Sequence, residues 1–141
     1  MCLAPTGSIA EGVAGIQERI RLAVQRAGRE LDDVQCMAVT KTVDADRIRE
    51  AYACGLRLFG ENRVQEFSMK ASQLRDLVDS SWHMIGHLQT NKAARAAELI
   101  DAVDSVDSVR LARKLNEAAS ALGKTLPVLI EINIGGEAAK S

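Results

Sequence analysis

The chain has 141 residues, of which 47% are hydrophobic and 26% charged, and its formal net charge is −1. This composition is ordinary for a globular domain that folds around its own core. The near-zero charge provides no overall basic field for nucleic acid or anionic lipid. No apolar run approaches the roughly 20 residues that cross a bilayer. We therefore expect neither a nucleic-acid partner nor a membrane partner.

The three cysteines lie at positions 2, 36 and 54 and form no CxxC pair or metal-like spacing. An odd count of this kind, partly inside apolar segments, is typical of reduced thiols in a reducing compartment. The first eight residues are too short and too weakly charged for a signal peptide. Both observations predict a cytoplasmic protein.

Apolar residues at helical spacing predict a first helix over 8–27, with Ser8 as its N-cap and Gly28 as its end. A near-continuous apolar run at 34–39 then predicts a strand that is buried on both faces. Asp44 is the expected N-cap of the following helix, which ends at position 55. The remaining strands are predicted at 56–59, 82–85, 100–106 and 127–134, and the remaining helices at 64–78, 91–97 and 108–123.

One helix followed by five strands with helices between them predicts the α/β class, with parallel strands joined by right-handed crossovers. Five such strands form either an open sheet or the first five-eighths of a (β/α)8 TIM-type barrel, which typically needs about 250 residues. No predicted helix covers the strand at 127–134, so it is a bare apolar edge. We therefore interpret residues 1–141 as a single domain: the N-terminal part of such a barrel, preceded by an extra helix and missing its last strands.

Lys41 stands at the carboxyl end of the first predicted strand, the end at which parallel α/β folds bind their ligands. A solvated lysine is one interpretation and, on spacing alone, the commoner one. The other is a Schiff-base lysine, because an amine desolvated at a buried strand end favours its neutral, nucleophilic form. Glu61 and Asn62 occupy the equivalent place after the second strand. They are either turn residues, with Asn62 as the N-cap of the next helix, or hydrogen-bonding groups for a ligand.

His83 and His87 are the two histidines, and Gly86 separates them on a strand-to-loop segment. Their spacing would suggest a metal only on a helix, and no third ligand lies nearby, so zinc is not predicted. We expect one strand residue and one loop residue of a polar pocket. Lys140 follows a pair of glycines near the end of the sequence, where a lone lysine is usually solvated. Neither GxGxxG nor GxxxxGK[ST] occurs.

Four segments stand out in combination: AVTKTVDADRIREAYACGLRLFGENRVQE, WHMIGHLQTNKA, SVDS and LIEINI, in this order. The pairing of FGEN-x-VQE with WHxIGxLQxNK is far more specific than any single motif. Together the segments resemble the pyridoxal phosphate homeostasis proteins, which are single-domain relatives of the alanine racemase barrel. The resemblance extends over nearly the whole chain.

The resemblance implies a fold type III, alanine racemase-like barrel that holds pyridoxal 5′-phosphate (PLP). Lys41 matches the family lysine that binds the cofactor as a Schiff base, and Asn62, His83 and Lys140 match positions near the cofactor. The family holds the phosphate with loops from the last barrel strands, which these residues lack. This chain is therefore expected to bind PLP weakly or not at all unless a partner chain completes the barrel.

The implied function is intracellular PLP homeostasis: carrying the cofactor on Lys41 and releasing it to PLP-dependent apo-enzymes or amino acids, without robust catalytic activity. One alternative is a PLP-dependent amino-acid racemase or decarboxylase. A racemase needs a second acid/base opposite the lysine, commonly a tyrosine, and the only tyrosine, Tyr52, falls on the apolar stripe of a helix. A further alternative is a cofactor-free fragment that only self-associates through the edge strand at 128–134.

Overall fold

A computed structural model of the protein describes residues 7–135. Within this range five helices and five strands alternate after the first helix. The helices are α1 (Ile9–Arg26), α2 (Ala45–Ala53), α3 (Val64–Ala71), α4 (Ala93–Leu99) and α5 (Val109–Ala121). The strands are β1 (Met37–Val39), β2 (Leu58–Glu61), β3 (Ser81–Met84), β4 (Ala102–Val106) and β5 (Val128–Ile130). Short 3-10 helices lie at Leu31–Asp33, Ser72–Leu74 and Thr90–Lys92.

The five strands form one parallel sheet in the order β1-β2-β3-β4-β5, so each strand lies beside its successor. A doubly wound open sheet instead reverses its strand order at a switch point. A sequential order is that of a (β/α)8 barrel. The predicted α/β class and barrel-type start, with α1 as the extra helix, are confirmed.

The hydrophobic core lies between the sheet and the helices. Phe59 of β2 and Trp82 of β3 are buried partners in the ladder, and their rings stack with centroids 4.8 Å apart. Phe67 of α3 packs on Trp82 with centroids 4.6 Å apart. Because strand side chains alternate between faces, the neighbouring ladder pair Gly60 and His83 lies on the opposite face, which is the inner face of a barrel.

Three helices begin where the sequence predicts, each at a residue whose side chain caps the helix. Ser8, Asp44 and Ser108 each accept a hydrogen bond from the backbone N–H of the third residue along the chain. The helix predicted over 64–78 is shorter, because α3 ends at Ala71 and a 3-10 turn follows it.

The prediction that the first strand is buried on both faces is wrong. β1 lies at one edge of the sheet, and Val39 is 49% exposed. β5 lies at the other edge and is exposed along its length. An apolar run predicts burial, but it does not tell which strands will be at an edge.

Within residues 7–135 no helix is both long and apolar enough to cross a membrane. Cys36 and Cys54 are free thiols, while Cys2 lies outside the described residues. We retain, as a proposal, that residues 1–141 form a single domain.

Candidate functional site

Two of the predicted site residues lie at the same edge of the sheet. Lys41 follows β1 by two residues, and Asn62 follows the last residue of β2. The two strands are parallel, with Val39 opposite Gly60, so both side chains belong to the carboxyl edge. Lys41 is exposed, so the described residues do not provide the expected desolvation of its amine.

A second lysine, Lys70 of α3, binds both ends of the turn that carries Lys41. Lys70 of α3 donates hydrogen bonds from Nζ to the carbonyl oxygens of Thr40, at 2.8 Å, and Val43, at 3.0 Å. The N–H of Val43 also donates to the carbonyl of Thr40, at 3.1 Å. Lys41 and Thr42 therefore form the tip of a turn whose two ends share one cation.

Lys70 is buried, and its charge is balanced by the fully buried Glu61 at the end of β2. Lys70 Nζ lies 2.8 Å from Glu61 Oε1, and the Thr40 hydroxyl donates to the same oxygen at 2.6 Å. Glu61 Oε2 is buried without a hydrogen-bond partner among the described residues. A buried pair of this kind holds each charge in place, because either charge alone would lack compensation.

Thr42, at the tip of the turn, has a φ of 61°, in the left-handed region. This conformation costs a residue other than glycine about 1–2 kcal/mol, and a β-branched residue is a rare choice for it. The Thr42 N–H donates to the Glu66 carboxylate, and its hydroxyl donates to the carbonyl of Lys41 at 2.6 Å. Strained backbone of this kind is found preferentially at functional sites.

His83 lies on β3, one ladder row below the carboxyl edge, opposite Gly60. Its Nδ1 is 2.9 Å from Asp104 Oδ2 on β4, and both side chains are largely shielded from solvent. His83 also borders a groove of about 790 Å³ beneath α1, together with Leu58 and Ser81. The structure therefore places His83 on the inner face of the sheet, paired with the Asp104 carboxylate of the neighbouring strand.

His87 lies in the loop after β3, and its Nδ1 is 3.0 Å from Asp107 Oδ2. His83 therefore lies on a strand and His87 in a loop, as expected, but within residues 7–135 the two do not line one common pocket. Across the part of the chain that the structure describes, no three histidine, cysteine or acidic side chains group as metal ligands.

The alternative that Asn62 caps the next helix is wrong, because Arg63 is the N-cap of α3 and makes no side-chain cap. Asn62 instead packs against Gly86, which follows β3. A Cβ atom on Gly86 would lie 2.5 Å from the Asn62 carbonyl oxygen and 2.9 Å from its Cα. The Ser105 hydroxyl donates to the Gly86 carbonyl at 2.7 Å. Gly86 thus permits the close approach of two carboxyl-end loops.

Substitution of Gly86 by alanine should destabilise the protein by about 1–3 kcal/mol, the usual cost of overpacking. The contacted atoms belong to the backbone, which cannot rotate away as a side chain can. The matched control is Gly12→Ala in α1, where nothing lies within 4 Å and alanine should stabilise by about 0.5–1 kcal/mol. Urea unfolding measures both changes, and equal midpoints for the two variants would contradict the packing described.

Tyr52 lies at the opposite end of the sheet from Lys41. Its ring packs against the core, and its hydroxyl donates to Asp79, which precedes β3. This hydrogen bond raises the pKa of Tyr52 and lowers that of Asp79. The Arg57 guanidinium lies 3.9 Å from the centroid of the ring. Tyr52 is therefore not placed to act across a ligand from Lys41.

Glu61 was predicted from the sequence beside Asn62, whereas Lys70 and Asp104 were not identified from it. Lys70 carried a signal, because it falls beside the apolar stripe of its helix, between Phe67 and Leu74. Asp104 also carried one, as a carboxylate in the middle of an apolar strand. Lys140 lies outside the described residues.

Comparison with known proteins decides the family. Residues 13–138 match the family described as alanine racemase, N-terminal domain. The chain belongs to this family. It is 45% identical over 134 residues to the pyridoxal phosphate homeostasis protein of Pseudomonas aeruginosa, covering 95% of this chain and 58% of that protein. The protein of the same description from Aquifex aeolicus is 42% identical over 130 residues, covering 92% of this chain and 57% of that protein.

A solved member of similar sequence is PipY of Synechococcus elongatus. With PLP bound it superposes with a TM-score of 0.74 at 43% identity, covering 91% of this chain and 56% of PipY. Without PLP the TM-score is 0.76 at 42% identity, covering 94% of this chain and 57% of PipY. The predicted resemblance to pyridoxal phosphate homeostasis proteins within the alanine racemase family is confirmed. The chain spans somewhat more than half the length of the relatives it matches.

Proposed function

We propose that this chain binds PLP for intracellular homeostasis, with Lys41 holding the cofactor as a Schiff base. The observation that carries the proposal is the Lys41 turn at the carboxyl end of β1. The amine of Lys41 has no hydrogen-bond partner among the described residues. The backbone of its turn is held by hydrogen bonds from Lys70. Similarity to a protein solved with PLP bound supports the identity of the ligand.

The primary amine of Lys41 is a group that can condense with the aldehyde of PLP. Lys41 Nζ would hold PLP through a carbon–nitrogen double bond to its aldehyde carbon, and the aldehyde oxygen would leave as water with the two hydrogens of the amine. An incoming amine would displace Lys41 and return it as a free amine. PLP itself supplies the electrophilic aldehyde and the conjugated ring. On the resemblance, Asn62 and His83 would lie near the cofactor, and so would Lys140, which is outside the described residues.

We further propose that the protein is a cytoplasmic carrier without robust catalytic activity, which releases PLP to apo-enzymes. A racemase needs an acid/base group across the ligand from the lysine. Tyr52 is the only tyrosine in the sequence, and its hydroxyl is engaged with Asp79 at the opposite end of the sheet. Incubation with PLP and L-alanine should form D-alanine no faster than PLP alone, as measured by chiral chromatography.

Titration of the protein with PLP, followed by the visible absorbance of the Schiff base, tests the proposal. Neither GxGxxG nor GxxxxGK[ST] occurs in these 141 residues. We therefore expect them to bind PLP with an affinity similar to that for 5′-deoxypyridoxal, which lacks the phosphate. A phosphate held by one charge-assisted hydrogen bond would instead favour PLP by about tenfold or more. Absence of any absorbance change would contradict the proposal itself.

A second candidate function is self-association through β5. Its exposed side chains continue beyond the strand, and Ile130, Ile132 and Ile134 are 73%, 72% and 93% exposed. An exposed apolar edge strand is a template for pairing with another chain.

Ile130→Lys should remove any self-association, because it places a charge on the edge of the sheet. Val78→Lys is the matched control, since Val78 is 86% exposed but lies outside the sheet. Sedimentation velocity of the two variants and the parent chain measures the result. Equal oligomeric states for all three would contradict association through this edge.

A further inference from the structure

We propose that Lys70 and Glu61 are positioning residues for Lys41, which fix the turn that presents its amine. This inference rests on the proposed function, because it assigns the pair a role in Schiff-base formation. Lys70 acts through the backbone carbonyls of Thr40 and Val43, and Glu61 acts through Lys70 and the Thr40 hydroxyl. In this role neither side chain needs to touch the cofactor.

The bonds of Lys70 are placed on the two ends of the turn. Its Nζ donates to the carbonyl that precedes Lys41 and to the carbonyl that follows Thr42, at 2.8 and 3.0 Å. Glu61 anchors Nζ at 2.8 Å and also accepts from the Thr40 hydroxyl. Thr40 in turn is held to β2, because its N–H donates to the Gly60 carbonyl at 2.9 Å. The pair therefore ties the turn to β2 and α3 together.

Glu66 also helps to hold the Lys41 turn, because it contacts both Lys70 and Thr42. It lies one helical turn before Lys70 on α3, and its carboxylate is 3.5 Å from Lys70 Nζ. The same carboxylate accepts from the N–H of Thr42, the residue in the left-handed conformation. One face of α3 thus holds both ends and the strained tip of the turn.

Stability alone does not account for this arrangement. A buried ion pair is often no more stabilising than well-packed apolar side chains of similar volume. Apolar side chains could fill the same space, but they could not donate to the Thr40 and Val43 carbonyls. The specific consequence of the pair is the geometry of the Lys41 turn.

The double variant Glu61→Met/Lys70→Met separates positioning from stability, because it removes both charges while keeping the volume. We expect it to unfold at a urea concentration close to that of the parent chain. Without the Lys70 hydrogen bonds to the Thr40 and Val43 carbonyls, the amides of Thr42 and Val43 should exchange with solvent about tenfold faster, as resolved by NMR. Schiff-base formation with PLP should slow by about tenfold to a hundredfold, since the amine is no longer held in place.

Lys124→Met is the matched control. Lys124 is also a partly buried lysine that donates to a backbone carbonyl, that of Ile100 at 2.8 Å, but it lies near the amino end of β4. The Lys124→Met variant should show unchanged amide exchange at Thr42 and Val43 and an unchanged rate of Schiff-base formation.

Two outcomes would overturn the inference: unchanged exchange of the turn in the folded double variant, or Schiff-base formation at the parental rate despite faster exchange. Failure of the parent chain to form a Schiff base would overturn the proposed function and, with it, the assigned role of the pair. Amide exchange does not need PLP, so it still reports in that case whether the pair holds the turn.

Discussion

Substitution of Lys70 alone by methionine is expected to lower the free energy of unfolding by about 3–5 kcal/mol. The variant leaves Glu61, which is fully buried, without its cation, and it removes the Lys70 hydrogen bonds to the Thr40 and Val43 carbonyls. Domains of this size have total stabilities of about 5–15 kcal/mol. Lys70→Met should therefore remove a large part of the free energy of unfolding.

The matched control is Lys114→Met on α5. Lys114 forms an ion pair of similar length with Glu117, at 2.7 Å, but both side chains are exposed. Exposed pairs contribute about 0–1 kcal/mol, so this variant should unfold almost as the parent chain does. Chemical unfolding measures the free energy of unfolding of both variants. If Lys70→Met lowers it no more than Lys114→Met does, the buried ion pair is not the large contribution described here.

Lys41→Ala is expected to abolish the Schiff-base absorbance of the protein with PLP while leaving the fold intact. Lys41 is exposed, and its amine makes no hydrogen bond among the described residues. Surface substitutions of this kind usually change stability by less than about 0.5 kcal/mol. A complete loss of the visible band, with an unchanged circular-dichroism spectrum and urea midpoint, is therefore the expected result.

Lys114→Ala provides the control for nonspecific reaction, because PLP can condense with any accessible amine. It should retain the band at the parental intensity. An equal band for Lys41→Ala and the parent chain would show that another amine forms the Schiff base.

The sequence predicted the parts of the site that depend on local order along the chain. Lys41 and Asn62 each follow a strand, and the carboxyl ends of parallel strands meet at one edge of the sheet. Helix starts at Ser8, Asp44 and Ser108 were predictable for a similar reason, since an N-cap acts within three residues.

The sequence did not predict the parts that depend on register and on the edges of the sheet. The contact of Lys70 with Thr40 joins residues 30 apart, and that of His83 with Asp104 joins residues 21 apart. Neither distance follows from periodicity within one element. The left-handed Thr42 was equally unpredictable, because β-branched residues disfavour that conformation and only the Glu66 contact shows how it is held.

Borohydride reduction followed by peptide mapping decides whether Lys41 is the cofactor lysine. The parent chain is mixed with PLP, reduced to convert the Schiff base to a stable secondary amine, digested and analysed by mass spectrometry. We expect one phosphopyridoxyl group per chain, on Lys41. A label on Lys70, Lys92, Lys114, Lys124 or Lys140 in place of Lys41, or one spread evenly over them, would contradict it.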